Sequence, residues 1–249
     1  MIFVTGDTHG DFRRLSPAAW PLGSTLTKSD FVIILGDFGG LWKAKLDPWE
    51  SRDLDLLGSR PFTTLFLDGN HENFDRLEAL PTEKKFGGVV GKIRTRGGYI
   101  YHLKRGQVYQ IDGKSIFTMG GAFSIDREYR TLDISWWEQE MITDEQLREA
   151  YRNLAKVDNR VDYILTHCPP VNAIYAMGIK PFKSSIDINP YYVQNIADIV
   201  TFDHWYFGHM HQDKNVAEKF TCMYQEIVEL GAVLDSSRDY NFPDFGAFK

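Results

Sequence analysis

The chain has 249 residues, 43% of them hydrophobic, and a formal net charge of -6. That length supports one substantial core and is read as a single domain over residues 1–249. The acidic balance offers no general pull on nucleic acid and argues against long duplexes as partners; a polyanionic substrate must be drawn by a local positive site.

The opening segment MIFVTGD lacks a basic stretch followed by an apolar one, and no later run approaches the roughly 18 apolar residues of a membrane helix. A cytoplasmic protein without membrane contact is expected, with Cys168 and Cys222 as reduced thiols. In chain order, a strand is predicted at 2–5, a helix at 11–19, a strand at 31–35, a helix at 48–57, a strand at 63–67 and a helix at 73–80. From 97 to 121 the pattern becomes closely spaced strands, 99–103, 107–111 and 115–119, with Arg105-Gly106 and Asp112-Gly113 as turns, and reads as an antiparallel meander or hairpin pair. A helix at 144–157 opens on Thr143 with Gln146 three residues on, a capping-box signature. Strands at 162–165 and 204–207 follow, then a hairpin within 216–228 and a tail or strap over 235–249. The alternation is that of an α/β protein.

Five of the seven histidines fall in four compact clusters: Gly6-Asp7-Thr8-His9, Gly69-Asn70-His71-Glu72, Thr166-His167-Cys168 and Gly208-His209-Met210-His211. Each follows an apolar strand, so parallel strands deliver them together to the carboxyl edge of a sheet, where α/β proteins place their sites. The glycines at 6, 36, 69 and 208 suit strands that turn sharply at a crowded centre. Imidazole, carboxylate and amide oxygen together suit borderline divalent metals such as manganese, iron or zinc, and the lack of clustered cysteine argues against a structural zinc site.

The motifs GDTHG, GDFGG, GNHE, THCPP and GHMH, in that order between residues 6 and 211, resemble those of the calcineurin-like metallophosphoesterase superfamily. The resemblance implies two packed, mixed β-sheets flanked by helices, with a centre of two divalent ions, manganese foremost, at the sheet edge. Carried over by position, it puts Asp7, His9 and His211 on one metal, Asn70, His167 and His209 on the other, and Asp37 between them. It further implies that a metal-bridging hydroxide attacks a phosphomonoester or phosphodiester, the metals lowering the pKa of water and neutralising phosphoryl charge. Two divalent cations set against two aspartates and one hydroxide leave a net positive site, because Asn70 ligates without charge. His71 is implied as proton donor to the leaving oxygen or as a phosphate contact.

The sequence departs from the protein phosphatases of that superfamily at Gly36-Asp37-Phe38-Gly39-Gly40. Their GDxxDRG motif supplies an aspartate that orients the histidine and an arginine that holds phosphate, and both are missing. Arg127 and Arg130 are candidates to replace the arginine, spaced for one face of a helical turn, against the alternative that they pair with nearby acids on the surface. Arg76 is a third candidate. The Trp136-Trp137 and Tyr191-Tyr192 pairs are weighed as stacking or packing residues, and Tyr175 and Phe182 as flanking a site opening. The expected substrate is a small phosphoester; a nuclease or nucleotide-processing phosphodiesterase is the alternative enzyme, and an inactive scaffold or binding protein on the same fold the alternative class. Oligomeric state is left open.

Overall fold

A computed structural model describes residues 1–235; the expected tail or strap lies, apart from residue 235, outside the described residues. The strands are β1 (Ile2–Thr5), β2 (Phe31–Ile34), β3 (Thr63–Phe66), β4 (Thr82–Lys85), β5 (Gly88–Thr95), β6 (Gly98–Leu103), β7 (Gln107–Ile111), β8 (Lys114–Met119), β9 (Tyr163–Thr166), β10 (His204–Phe207), β11 (Lys214–Ala217), β12 (Phe220–Cys222) and β13 (Ile227–Glu229). The helices are α1 (Pro48–Gly58), α2 (Phe74–Glu78), α3 (Asp144–Ala155), α4 (Val171–Ala176) and α5 (Asn189–Ile199).

Two mixed sheets form, one ordered β13-β1-β2-β3-β6-β5-β4 and the other β11-β12-β10-β9-β8-β7. In the first, β1, β2, β3 and β6 run parallel. In the second, β8, β9, β10 and β12 do. The alternation of side chains along a strand decides how the sheets pack. Ile2, Val4, Ile33, Leu35, Leu65 and Leu67 of one sheet meet Ile116, Tyr163, Leu165 and Tyr206 of the other in an inner core. The intervening residues serve the outer faces. Phe3, Val32, Ile34 and Phe66 pack with α1, α2 and Trp137, whereas Phe117, Ile164, Trp205 and Phe207 pack with α3 and α5. With both faces covered, the parallel strands are mostly apolar, as strands buried on both faces are.

Local chemistry sets the helix ends. Asp47 caps α1 by accepting from the backbone N–H groups of Trp49 and Glu50, with Pro48 in the first turn. The expected capping box at α3 is formed, Thr143 accepting from Gln146 N while the Gln146 side chain accepts from Thr143 N; such a cap contributes about 1 kcal/mol.

Three expectations are corrected. Residues 11–19 form only a 3₁₀ turn at Arg13–Leu15. Pro17 disfavours helical geometry at Ser16, which is extended, and the Asp11 carboxylate captures the N–H of Arg13. No single meander spans 97–121: β6 pairs with β5 in the first sheet, while β7 and β8 form the expected hairpin across Asp112-Gly113 in the second. The connection at Gly106, with φ of 71°, therefore passes between sheets. The hairpin is β11–β12, while β13 leaves it to pair antiparallel with β1. Both cysteines are free and buried. Among the described residues, no helix is long and apolar enough to cross a membrane.

Candidate metal centre

The carboxyl ends of β1, β2, β3, β9 and β10 bring Asp7, His9, Asp37, Asn70, His71, His167, His209 and His211 to one edge of the sandwich. The chain turns abruptly there. His9, Asp37, His209 and His211 all have left-handed φ, between 45° and 66°, a region that costs a non-glycine residue on the order of 1–3 kcal/mol. Gly36, at φ of 94°, lies against the imidazole of His167 so closely that a Cβ would overlap it, and a Cβ at Gly69 would overlap the Asp37 carboxylate.

Acceptor atoms converge without enough protons between them. Ligand atoms of Asp7, His9, Asp37 and His211 all lie within 4.8 Å of one another, with Nε2 of His9 and His211 3.2 Å apart. Asp7 is fully buried, and its Oδ2 accepts no well-formed hydrogen bond among the described residues, with His211 Nε2 beside it at 3.0 Å. On the other side, His167 Nδ1 donates to the Leu35 carbonyl at 2.8 Å, so in a neutral ring Nε2 carries the lone pair. That lone pair faces Asn70 Oδ1 at 3.2 Å and Asp37 Oδ1 at 3.4 Å. With Nδ1 carrying the ring proton, no side-chain donor lies between these three electron-rich atoms, an arrangement a cation resolves. Asp37 turns Oδ1 to this group and Oδ2 to His9, 3.8 Å away. The residues present thus fit metal ions.

Electrostatics point the same way. Burial works against ionisation of Asp7 and Asp37, yet positive charge placed among the neighbouring imidazoles, at His167 foremost, outweighs it and holds both pKa values below the ordinary carboxylate range, so the two carboxylates suit a site that carries a cation. Burial pushes His209 down to about 4 and leaves its ring neutral. His211 is raised, chiefly by Asp7.

The GNHE segment is tied down around the centre. His71 N donates to Asp37 Oδ1 at 2.8 Å. Glu72, which the sequence reading left without a role, is fully buried and accepts from Phe38 N at 2.7 Å and Gly39 N at 3.2 Å, closing the GDFGG loop onto GNHE. The His71 ring stacks on Trp42 and has Arg130 Nη2 3.0 Å from its Nε2. Burial, then Arg130 and His9, lower its pKa against the opposing pull of Asp37.

The candidate arginines separate. Arg130 is beside His71, held by Asp126 at 2.8 Å and the Ser135 carbonyl at 3.2 Å. Arg127 is engaged elsewhere: its Nε donates to Glu140 at 2.7 Å, and its guanidinium lies between the rings of Phe123 and Trp136. Arg76 is paired with Glu50 at 2.6 Å. Trp137 is core and Trp136 covers Arg127. Tyr191 and Tyr192 bond the Phe182 carbonyl and Asp144, and Tyr175 and Phe182 are exposed. Sequence reasoning also missed Arg14, which donates to the Asp7 and Tyr224 carbonyls, and Asp213, which accepts from the N–H groups of Tyr224, Gln225 and Glu226. No spacing signal announces either one.

Two mixed sheets sharing a carboxyl edge where aspartates, histidines and an amide converge define an α/β protein built to hold metal. The chain belongs to the calcineurin-like phosphoesterase family, whose model matches residues 1–213. A comparison with curated proteins finds no match. Family membership carries metal-dependent phosphoester hydrolysis as the coarse function.

Proposed function

We propose that the protein hydrolyses a small phosphomonoester or phosphodiester at a centre of two divalent ions, manganese foremost. The observation that carries this reading is Asp37, which turns its two oxygens to two separate groups of ligand-type side-chain atoms. Asp7, His9 and His211 hold one ion; Asn70, His167 and His209 hold the other; Asp37 serves both. When bound, the ions supply Lewis acidity that lowers the pKa of water and neutralises phosphoryl charge.

The chain's own residues do the rest. His167 is fixed in the coordinating tautomer by the Leu35 carbonyl. His71, backed by Trp42 and adjoining Arg130, delivers a proton to the leaving oxygen. Arg130 directs its guanidinium at the phosphoryl group, replacing the arginine that GDFGG omits.

Purified protein assayed on p-nitrophenyl phosphate and bis-p-nitrophenyl phosphate, before and after EDTA and then with manganese restored, tests this. Loss with EDTA and recovery with manganese is expected on at least one ester. EDTA-resistant hydrolysis, or no hydrolysis of these or of cyclic nucleotides by protein shown to hold two ions, defeats it.

A further inference from the structure

An asparagine is an ambiguous ligand. Its oxygen coordinates a cation and its NH₂ repels one, so the amide must be held one way round. Asn70 is 3% exposed, and its Nδ2 meets Ser124 Oγ at 3.1 Å. Ser124 Oγ meets Glu140 Oε2 at 2.9 Å. The other oxygen, Glu140 Oε1, accepts from Ser124 N at 2.9 Å and from Arg127 Nε at 2.7 Å. Ser124 and Glu140 are buried at 1% and 0% exposure, so water does not compete for these groups.

The direction of every bond in this chain follows from Glu140. A carboxylate paired with Arg127 only accepts, so the Ser124 hydroxyl spends its one proton on Oε2. The hydroxyl then shows Asn70 lone pairs alone. Asn70 must answer with its NH₂, which turns Oδ1 toward His167 and Asp37. We propose that Ser124 and Glu140 are positioning residues for the second cation: they fix the Asn70 amide with its oxygen toward the centre. This rests on the reading that the centre holds two ions.

Glu140→Gln isolates the effect of polarity, because the two amide atoms are not equivalent here. Ser124 N–H and Arg127 require an acceptor at the Oε1 position, so the glutamine oxygen goes there and its NH₂ faces Ser124 Oγ. The hydroxyl proton is released from that direction, and Asn70 loses the constraint on its orientation. Ser124→Ala removes the acceptor of the Asn70 NH₂ while keeping the Glu140–Arg127 pair.

The experiment is a manganese titration of the metal-free full chain by calorimetry, with electron paramagnetic resonance to separate isolated from spin-coupled ions. Wild type is expected to take up two ions. Both variants should retain the tighter ion and weaken the other by about 10–100-fold, with the coupled signal lost at manganese levels that saturate wild type. An Asn70→Asp background, whose ligand offers oxygen either way round, should lose no affinity on Glu140→Gln, because the released hydroxyl proton can turn to the new carboxylate. Wild-type affinities in both variants, equal weakening of both ions, or the same added loss in the Asn70→Asp background overturns the proposal. Should Glu140→Gln not fold, Ser124→Ala carries the test by itself. Wild type that binds fewer than two ions overturns the two-ion reading instead, a separable result.

Discussion

Arg130 Nη2 lies 3.0 Å from Nε2 of His71, and that guanidinium is held by Asp126 and by the Ser135 carbonyl. A cation placed beside an imidazole lowers its pKa, and Arg130 is proposed to hold the phosphoryl group next to that ring. Arg130→Ala should therefore raise KM and weaken inhibition by inorganic phosphate, with a loss of about 10–100-fold in kcat/KM. Arg127→Ala should instead lower the unfolding temperature, since it strips a buried carboxylate of its partner. Steady-state kinetics with phosphate as inhibitor, next to thermal unfolding, separates the two; an Arg130→Ala enzyme with unchanged KM and phosphate inhibition refutes the assignment.

His71 is proposed to protonate the leaving oxygen, which matters only for poor leaving groups. His71→Asn should cost about 10²–10⁴-fold on an alkyl phosphate and distinctly less on p-nitrophenyl phosphate, whose leaving group needs no proton. Equal losses on both esters would remove the acid role.

Gly36 has no room for a side chain. At φ of 94°, with His167 against it, Gly36→Ala adds backbone strain of about 1–3 kcal/mol and displaces the imidazole. The variant should bind manganese more weakly in equilibrium dialysis even where it remains folded by circular dichroism. Folded protein with full metal content contradicts this.

Asp187 gives stability a pH dependence. Burial, against the opposing bond from Asn189 N, raises its pKa from 3.8 to about 6. The folded state thus holds the Asp187 proton more tightly than the unfolded chain does, and stability falls as pH rises from about 4 through 6. The full penalty, on the order of 3 kcal/mol, is present above pH 6. Asp187→Asn, which keeps an acceptor for Asn189 N, should be stabilised relative to wild type at pH 7.5 and nearly equal to it at pH 4. An identical difference in Tm at both pH values rules this out.

Much of the fold was legible because the strands that carry the site are short, apolar and buried, and each ends in a polar turn with a glycine beside it. The unbroken β-rich runs at Ile2–Thr5 and Phe31–Ile34 mark the strands. Strand β4, TEKK, was missed because it is a half-exposed edge whose composition answers to solvent. The two sheets could not be told apart between β6 and β7, since a turn signal at Arg105-Gly106 is the same whether the next strand pairs back or crosses over.

The arginines failed as a pair for a geometric reason. Spacing of three residues puts side chains on one face only while the helix continues. Here the 3₁₀ turn Arg127–Tyr129 ends and Arg130 is extended, with φ of -116° and ψ of 164°, so the two diverge. Ser124 and Glu140 were invisible for another reason: their partner is Asn70, 54 residues before Ser124, and nothing local marks a hydroxyl that holds a distant amide.

The pairing of β1 with β13 bears on the order in which the molecule is made. Asp7 and His9 are made long before residues 227–229, the segment that closes the outer edge of their strand. Arg14, which grips the Asp7 carbonyl, waits for Tyr224, and His211 waits for the ring of Tyr224 to stack on it. A nascent chain stalled before residue 224 thus carries all the proposed ligands without the frame that sets them.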